Sequence, residues 1–231
     1  MRYRHGIVGM VALVLSSGVS LSQQPMPGQS MPGHIMDNAH AGHVMAVGTV
    51  AFANSCAPSV QGEFAQGVAM LHSFWYSAGE QAFRNVLAKD PACAMAHWGI
   101  ASLLMLNPLN GLGSTPRGAE QAAVELELAR HTGHPTQRER DYIEAAAAYY
   151  DDFTKETETA RQQARSRAYE ALAARYPEDD EAQIFDALYI AGTQSQADQT
   201  FAAYAKSAGI LQKEFAKFPR HPGISHYLIH V

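Results

Sequence analysis

The sequence predicts an all-α fold assembled from repeated helical hairpins, and three observations lead to this prediction. The 231-residue chain is 47% hydrophobic and 17% charged, which supplies enough apolar material for a sizeable core. Alanine runs are frequent and strand-forming runs are scarce. Four prolines recur 44, 42 and 42 residues apart, a period typical of stacked helical hairpins: Pro91, Pro135, Pro177 and Pro219.

Residues 1–22 are predicted to be a secretory signal peptide. Arg2 and Arg4 give a positive start, residues 6–21 are uncharged and apolar, and Ser20 and Ser22 precede a cut at Gln23. The alternative is an uncut membrane anchor, but the apolar stretch is short for a spanning helix and contains Gly and Ser. We therefore expect a periplasmic or secreted protein that leaves the membrane after cleavage.

Residues 23–48 are predicted to be a flexible linker, because they are rich in Pro and Gly and have no periodic apolar face. Thioether and imidazole groups within this linker suit soft copper ions in an oxidising compartment. The alternative is a tether of biased composition without a site. The residues concerned are Met26, Met31, His34, Met36, His40, His43 and Met45.

Residues 49–231 are predicted to form the helical repeat domain, with helices separated at Pro, Gly and Asn. A proline fits the first turn of a helix, where its missing N–H leaves no bond unmade. Acidic residues at 178–181 follow Pro177 and complement a helix dipole there. The predicted helices cover 62–77, 78–89, 93–106, 117–131, 136–151, 157–175, 179–190 and 196–218.

The packing residues of these hairpins follow the pattern of tetratricopeptide (TPR) repeats. Gly67 lets two helices approach closely, and Phe83 is the large residue eight positions before Pro91. Tyr169 stands at the same distance before Pro177. Because each hairpin buries part of its apolar face and needs neighbours for the rest, TPR-like hairpins stacked as an α-solenoid are predicted.

The last repeat starts at Pro219 and stops at Val231, which leaves room for about three helical turns. Terminal repeats need a polar outer face. The chain ends on Tyr-Leu-Ile-His-Val, without a polar closing helix. We therefore expect the last repeat to be incomplete and the chain to be a fragment.

Two cysteines, Cys56 and Cys93, are present in the whole chain. In an exported protein the pair can oxidise, so a disulfide that closes a loop of about 38 residues is predicted. The alternative is two separate buried thiols.

Histidines near the C-terminus form the candidate metal site. A helix that starts near Pro222 would place His226 and His230 four residues apart on one face, with His221 as a third ligand for copper or zinc. His72 and His97, each close to a tryptophan in sequence, are further candidates. The alternative is that these histidines make packing and hydrogen-bond contacts.

Four segments occur in a recognisable order: 67–76 (GVAMLHSFWY), 90–101 (DPACAMAHWGIA), 138–143 (RERDYI) and 221–230 (HPGISHYLIH). Together they resemble a family of exported bacterial TPR-repeat proteins, over residues 52–231. The last segment, of pattern HPGxxHYxIH, is the most specific. The resemblance implies a helical repeat scaffold that continues past the histidine block in other members, and it implies no reaction.

The charge balance and the motifs that the sequence lacks reduce the number of plausible function classes. After signal cleavage 15 basic residues face 22 acidic ones, which does not suit nucleic-acid phosphates. The sequence contains no phosphate loop, nucleophile elbow or dinucleotide fingerprint, so an enzyme is not favoured. The leading hypothesis is a scaffold that binds a protein or peptide on its concave surface. The alternative is a periplasmic copper- or zinc-binding protein that uses the histidine block and the linker.

Overall fold

The computed structural model describes residues 47–231, so the predicted signal peptide and nearly all of the predicted linker lie outside the described residues. Within this range there are nine α-helices and no strand, which confirms the all-α prediction. The helices are α1 (Gln61–His72), α2 (Tyr76–Lys89), α3 (Ala94–Leu104), α4 (Pro116–His131), α5 (Gln137–Ala147), α6 (Glu158–Arg175), α7 (Asp180–Ala191), α8 (Ala202–Lys217) and α9 (Pro222–Leu228).

Three predicted helices are clearly shorter than expected. The first ends at His72 because Phe74 has a left-handed backbone with a φ of 56°, which no right-handed helix can contain. The eighth begins at Ala202 instead of residue 196, because Phe201 is also left-handed, with a φ of 52°.

The helix predicted over 136–151 ends at Ala147. After it, the N–H groups of Tyr149 and Tyr150 bond carbonyls three residues back, and Asp152 is left-handed with a φ of 51°. All three boundaries were therefore wrong in the sequence-based prediction.

Consecutive helices pack against each other along the chain. The pairs α1–α2, α3–α4, α5–α6 and α7–α8 are in contact, and each pair also contacts the next through neighbouring helices. Helix α1 further packs on α3, and α3 on α5. Helix α9 contacts α8, α7 and also α1, so the two ends of the described domain meet.

Five of the nine described helices begin at a side-chain cap that the sequence supplies. Thr115 accepts a hydrogen bond from Gly118 N–H at the start of α4, and Thr157 accepts one from Ala160 N–H at the start of α6. At α5, Thr136 and Glu139 form a complete capping box. Each such cap contributes about 1 kcal/mol, because it satisfies an N–H that has no partner within the helix.

An aromatic cluster fills the centre between the odd-numbered helices. The ring of Trp98 from α3 lies 5.7 Å from Tyr142 of α5 and 5.7 Å from Phe185 of α7. Phe52, from the segment before α1, lies 5.2 Å from the Trp98 ring and 5.0 Å from the Tyr142 ring. These contacts bury large apolar surfaces and bring three helices and the N-terminal segment to one point.

The predicted bridge between Cys56 and Cys93 is confirmed. It ties the N-terminal segment to the residue that precedes α3, and both cysteines are buried. For a separation of 37 residues, the chain-entropy model gives a stabilisation of about 3–4 kcal/mol. Among the helices described, none is long and apolar enough to cross a bilayer.

Candidate functional site

Three side chains from distant parts of the sequence converge in the interior, and we call them the His–Glu–His cluster. His72 is the last residue of α1, Glu181 lies in the first turn of α7, and His221 is the N-cap of α9. Their exposed fractions are 0%, 3% and 4%, so the cluster is closed to bulk solvent. Within the described residues, their ligand atoms all lie within 4.8 Å of one another.

The local backbone explains why these side chains meet. Helix α1 packs on α9, and α9 also packs on α7, so α9 brings the three elements together. Gly223 makes room in α9, because a Cβ atom there would lie 2.6 Å from His72 Nδ1. The ring of His72 also stacks on Phe185, with centroids 4.5 Å apart.

Both imidazoles point their Nε2 atoms at one carboxylate. His72 Nε2 lies 2.9 Å from Glu181 Oε2, and His221 Nε2 lies 3.0 Å from Glu181 Oε1. The remaining ring nitrogens also have partners. His72 Nδ1 lies 2.8 Å from the Tyr227 hydroxyl, and His221 Nδ1 accepts the Ile224 N–H at 3.4 Å.

The hydrogen-bond partners determine which ring nitrogen of His221 carries the proton. A backbone N–H can only donate, so His221 Nδ1 is an acceptor and its Nε2–H donates to Glu181. Burial raises the pKa of Glu181, but the two facing histidines outweigh burial and lower this pKa to about 2. Burial also lowers the pKa of His72, against the opposing effect of Glu181. At neutral pH the cluster therefore holds an ionised carboxylate between imidazoles, with His72 uncharged.

The other two histidines of the C-terminal block lie next to the cluster. His226 Nδ1 is 2.8 Å from the backbone oxygen of His72, and its ring packs edge-on against Phe74 at 4.6 Å. Helix α9 ends at Leu228, so His230 falls just beyond it, with its ring centroid 5.2 Å from that of His226. Burial and the charge of His226 lower the pKa of His230.

His97 lies outside this constellation. Its Nδ1 atom is 2.6 Å from Glu125 Oε2, and both side chains are 12% exposed. The pair joins α3 to α4. The structure thus brings His72 and His221 together and places His97 in a separate contact. The methionines and histidines of residues 26–45 lie outside the described residues.

Glu181 is the site residue that sequence reasoning missed. The sequence analysis explained the acidic residues after Pro177 by the helix dipole. Because this explanation was sufficient, Glu181 was not considered as a metal ligand. Spacing along the sequence gives no indication that it faces His72, 109 residues away. The buried polar environment of Glu181 is a product of the tertiary structure.

An apolar cavity of about 320 Å³ adjoins the cluster, and both Glu181 and His221 contribute to its walls. Ile184, Phe218 and Pro219 are among its apolar lining residues, and Ala51 and Thr49 line it from the N-terminal segment. The cluster is therefore buried but not remote from a surface opening.

Chemically, two imidazoles and one carboxylate form a ligand set that zinc takes in proteins. Comparisons of this chain with protein-family models, with curated proteins and with solved structures give no match. The residues themselves therefore carry the functional argument.

Proposed function

We propose that this chain is an exported, TPR-like helical scaffold that binds one divalent transition-metal ion through His72, Glu181 and His221. The observation that carries the proposal is the convergence of two Nε2 atoms on a single buried, ionised carboxylate. Zinc is the expected ion, and copper(II) is a second ion that imidazole ligands accept.

The charge of the cluster supports this proposal. An ionised carboxylate in a closed interior is costly unless a cation or several hydrogen bonds compensate it. The two imidazoles supply hydrogen bonds, but His72, whose pKa burial lowers, supplies no positive charge at neutral pH. A divalent ion at the same point would supply that charge and would retain all three ligands.

Metal binding would require the two imidazoles to rearrange their protons, and this rearrangement changes their hydrogen bonds. A metal ion replaces the Nε2 protons, so each imidazole must carry its proton on Nδ1. The Tyr227 oxygen can accept the proton of His72 Nδ1, in the manner of a supporting outer ligand. The Ile224 N–H loses its acceptor, but this 3.4 Å bond is worth about 1 kcal/mol. The exchange therefore costs one long hydrogen bond, which the three metal–ligand bonds replace.

A metal ion bound at this cluster would also stabilise the fold around it. The successive pairing of helices supports the TPR-like reading, and the disulfide supports export to an oxidising compartment. Because His72 belongs to the first hairpin while His221 caps the last helix, a shared ion would join the two ends of the array. An ion that binds the folded state alone also stabilises that state.

Zinc titration of the full chain, after metal removal, tests this function. Isothermal titration calorimetry should detect one tight site in the unmodified protein that is lost in Glu181→Gln and in His221→Gln. His97→Gln and His230→Gln are matched controls that remove an imidazole elsewhere and should retain the site. Equal zinc binding in all five proteins would contradict the assignment, as would a tight site that only His230→Gln removes.

A second candidate function is the binding of a protein or peptide, and the apolar cavity beside the cluster favours it. Phe218 is 38% exposed at this cavity, while Lys217 in its lining is paired with Asp180 and Glu214. An apolar peptide would complement this lining. Selection from a random peptide library should enrich such sequences, and Phe218→Ala should weaken them about tenfold. A library that yields no specific peptide would remove this candidate.

A further inference from the structure

The apolar cavity beside the His–Glu–His cluster gives access to the proposed metal ion from outside. Glu181 and His221 both line this cavity, whose volume is about 320 Å³. They are also the two cluster residues that keep a small exposed fraction, 3% and 4%, whereas His72 is 0% exposed and does not line the cavity. A molecule from solvent would therefore approach the ion from the side of Glu181 and His221.

Protein atoms cover the histidine rings on their other sides. The ring of His72 stacks on Phe185 at 4.5 Å between centroids, and its Nδ1 lies 2.8 Å from the Tyr227 hydroxyl. A Cβ atom at Gly223 would lie 2.6 Å from His72 Nδ1 and 3.2 Å from His221 Cε1, so α9 packs closely on both rings. These contacts leave the cavity as the side from which a further ligand can enter.

The charge of the loaded cluster indicates what this ligand is. Zinc in proteins takes four or five ligands, and the cluster supplies three. Two neutral imidazoles and one carboxylate leave a divalent ion with one uncompensated positive charge. Such a charge is costly in an interior closed to solvent, and a singly charged anion removes it. A carboxylate carries one negative charge at neutral pH, and its oxygen is a ligand that zinc accepts.

The rest of the cavity favours an apolar body for this anion. Ile184, Phe218 and Pro219 line it, and its volume is at the lower end of the range of about 300–1,000 Å³ that small-molecule sites have. Resting on the function proposed above, we propose that the metal-loaded protein binds an apolar monocarboxylate. The carboxylate completes the coordination of the ion, and the hydrocarbon chain fills the cavity.

The basic side chains of the cavity do not replace the ion as the attraction for an anion. Lys217 Nζ lies 2.8 Å from Asp180 Oδ1 and 2.9 Å from Glu214 Oε1, so two carboxylates already share its charge. Arg220 also lines the cavity but is exposed, and solvent screens its charge. Binding of the carboxylate should therefore depend on the metal.

Calorimetric titration of the zinc-loaded full chain with hexanoate tests this ligand class. Hexanoate should bind at least tenfold more tightly than acetate, because each buried CH2 group strengthens binding about fourfold. Hexan-1-ol, which has the chain without the charge, should bind at least tenfold more weakly than hexanoate. The metal-free protein should bind none of the three.

Two variants locate the binding in the cavity. Thr49 is an exposed lining residue, so Thr49→Trp should narrow the cavity and weaken hexanoate binding about tenfold while zinc binding stays unchanged. Thr159→Trp, at an exposed position of α6 that does not line the cavity, is the matched control and should leave both unchanged. Equal hexanoate binding by the two variants would overturn the proposal.

The outcomes separate this proposal from the metal site on which it rests. Tight zinc binding without hexanoate binding at millimolar concentration would overturn the ligand class alone, whereas absence of zinc binding would overturn both. Crystals of the zinc-loaded protein with 6-bromohexanoate provide the second measurement, because bromine can be located by its anomalous scattering. A bromine peak among Ile184, Phe218 and Pro219 supports the site. A zinc peak at the cluster with bromine elsewhere would contradict it.

Discussion

The His–Glu–His cluster and the surroundings of Arg165 on α6 both contain buried charged side chains, yet their hydrogen bonding differs. In the cluster each ring nitrogen and both carboxylate oxygens have partners. The Arg165 guanidinium donates to Met105 Sδ and to the side-chain oxygen of Gln162, and its Nε–H has no partner among the described residues. The physical reason is that the cluster pairs imidazole donors with a carboxylate acceptor, whereas no carboxylate of the described residues pairs with Arg165.

The largest change in stability is expected when the carboxylate of the His–Glu–His cluster is removed. Glu181→Ala leaves two buried imidazole N–H groups without an acceptor, and we expect a loss of about 3–5 kcal/mol in the unfolding free energy of the metal-free protein. Glu178→Ala, three residues earlier and exposed, is the control and should change stability by less than about 0.5 kcal/mol. Urea unfolding measures both. Similar values for the two variants would mean that the cluster contributes nothing to the fold.

The next effect should have the opposite sign. Arg165→Met replaces an unpaired buried charge with an apolar side chain that retains contact with the surrounding tyrosine rings. We expect the unfolding free energy to rise by about 1–3 kcal/mol. Urea unfolding of the variant and of the unmodified protein checks this. A loss of several kcal/mol would show that the protein itself already compensates the charge.

Removing one tyrosine hydroxyl from each region allows the His–Glu–His cluster and the surroundings of Arg165 to be compared directly. Tyr227→Phe removes a hydroxyl that bonds His72 Nδ1, so it should cost about 1 kcal/mol. Tyr76→Phe removes a hydroxyl without a partner among the described residues and should be neutral within about 0.5 kcal/mol. Parallel urea titrations give both values. Equal costs would remove the distinction between the paired and the unpaired region.

The smallest effect concerns Asp186 of α7, which is also buried with an unpaired oxygen. Burial raises its pKa from 3.8 to about 7, with Lys206 opposing and Glu170 reinforcing the shift. As pH rises from 4 to 7, the unfolded chain loses a proton that the folded state retains, so the contribution of this group to stability falls.

Asp186→Asn cannot ionise, and we therefore expect it to raise Tm by about 2–4 °C at pH 8 but to change little at pH 4. Thermal unfolding at the two pH values measures this difference. Asp151→Asn, at an exposed position, is the control and should respond equally at both. The reverse pattern, with stabilisation at pH 4 only, would contradict the buried-acid interpretation.

Local sequence signals predicted what depends on local chemistry. Helical periodicity and proline spacing predicted an all-α chain, and export predicted the bond between Cys56 and Cys93. The left-handed residues Phe74 and Phe201 were missed because neither is a residue type that favours this conformation. Their backbone is stabilised by the tertiary packing around them.

The candidate site was predicted only in part for the same reason. Because histidine is a common metal ligand, His72, His97 and His221 were proposed from the sequence. His97 lies apart from the other two, against Glu125. Glu181 fitted an ordinary helix pattern, as an acid near a helix N-terminus. Its burial follows from helix pairing, which spacing along the chain does not encode.

The most direct test of the central claim is the position of the metal ion itself. Crystals of the zinc-loaded full chain, measured at wavelengths on both sides of the zinc absorption edge, locate zinc by its anomalous signal. We expect one buried peak, within about 2.0–2.2 Å of His72 Nε2, His221 Nε2 and an oxygen of Glu181. A fully loaded crystal without a peak among these three residues, or with its zinc between His226 and His230, would contradict the account.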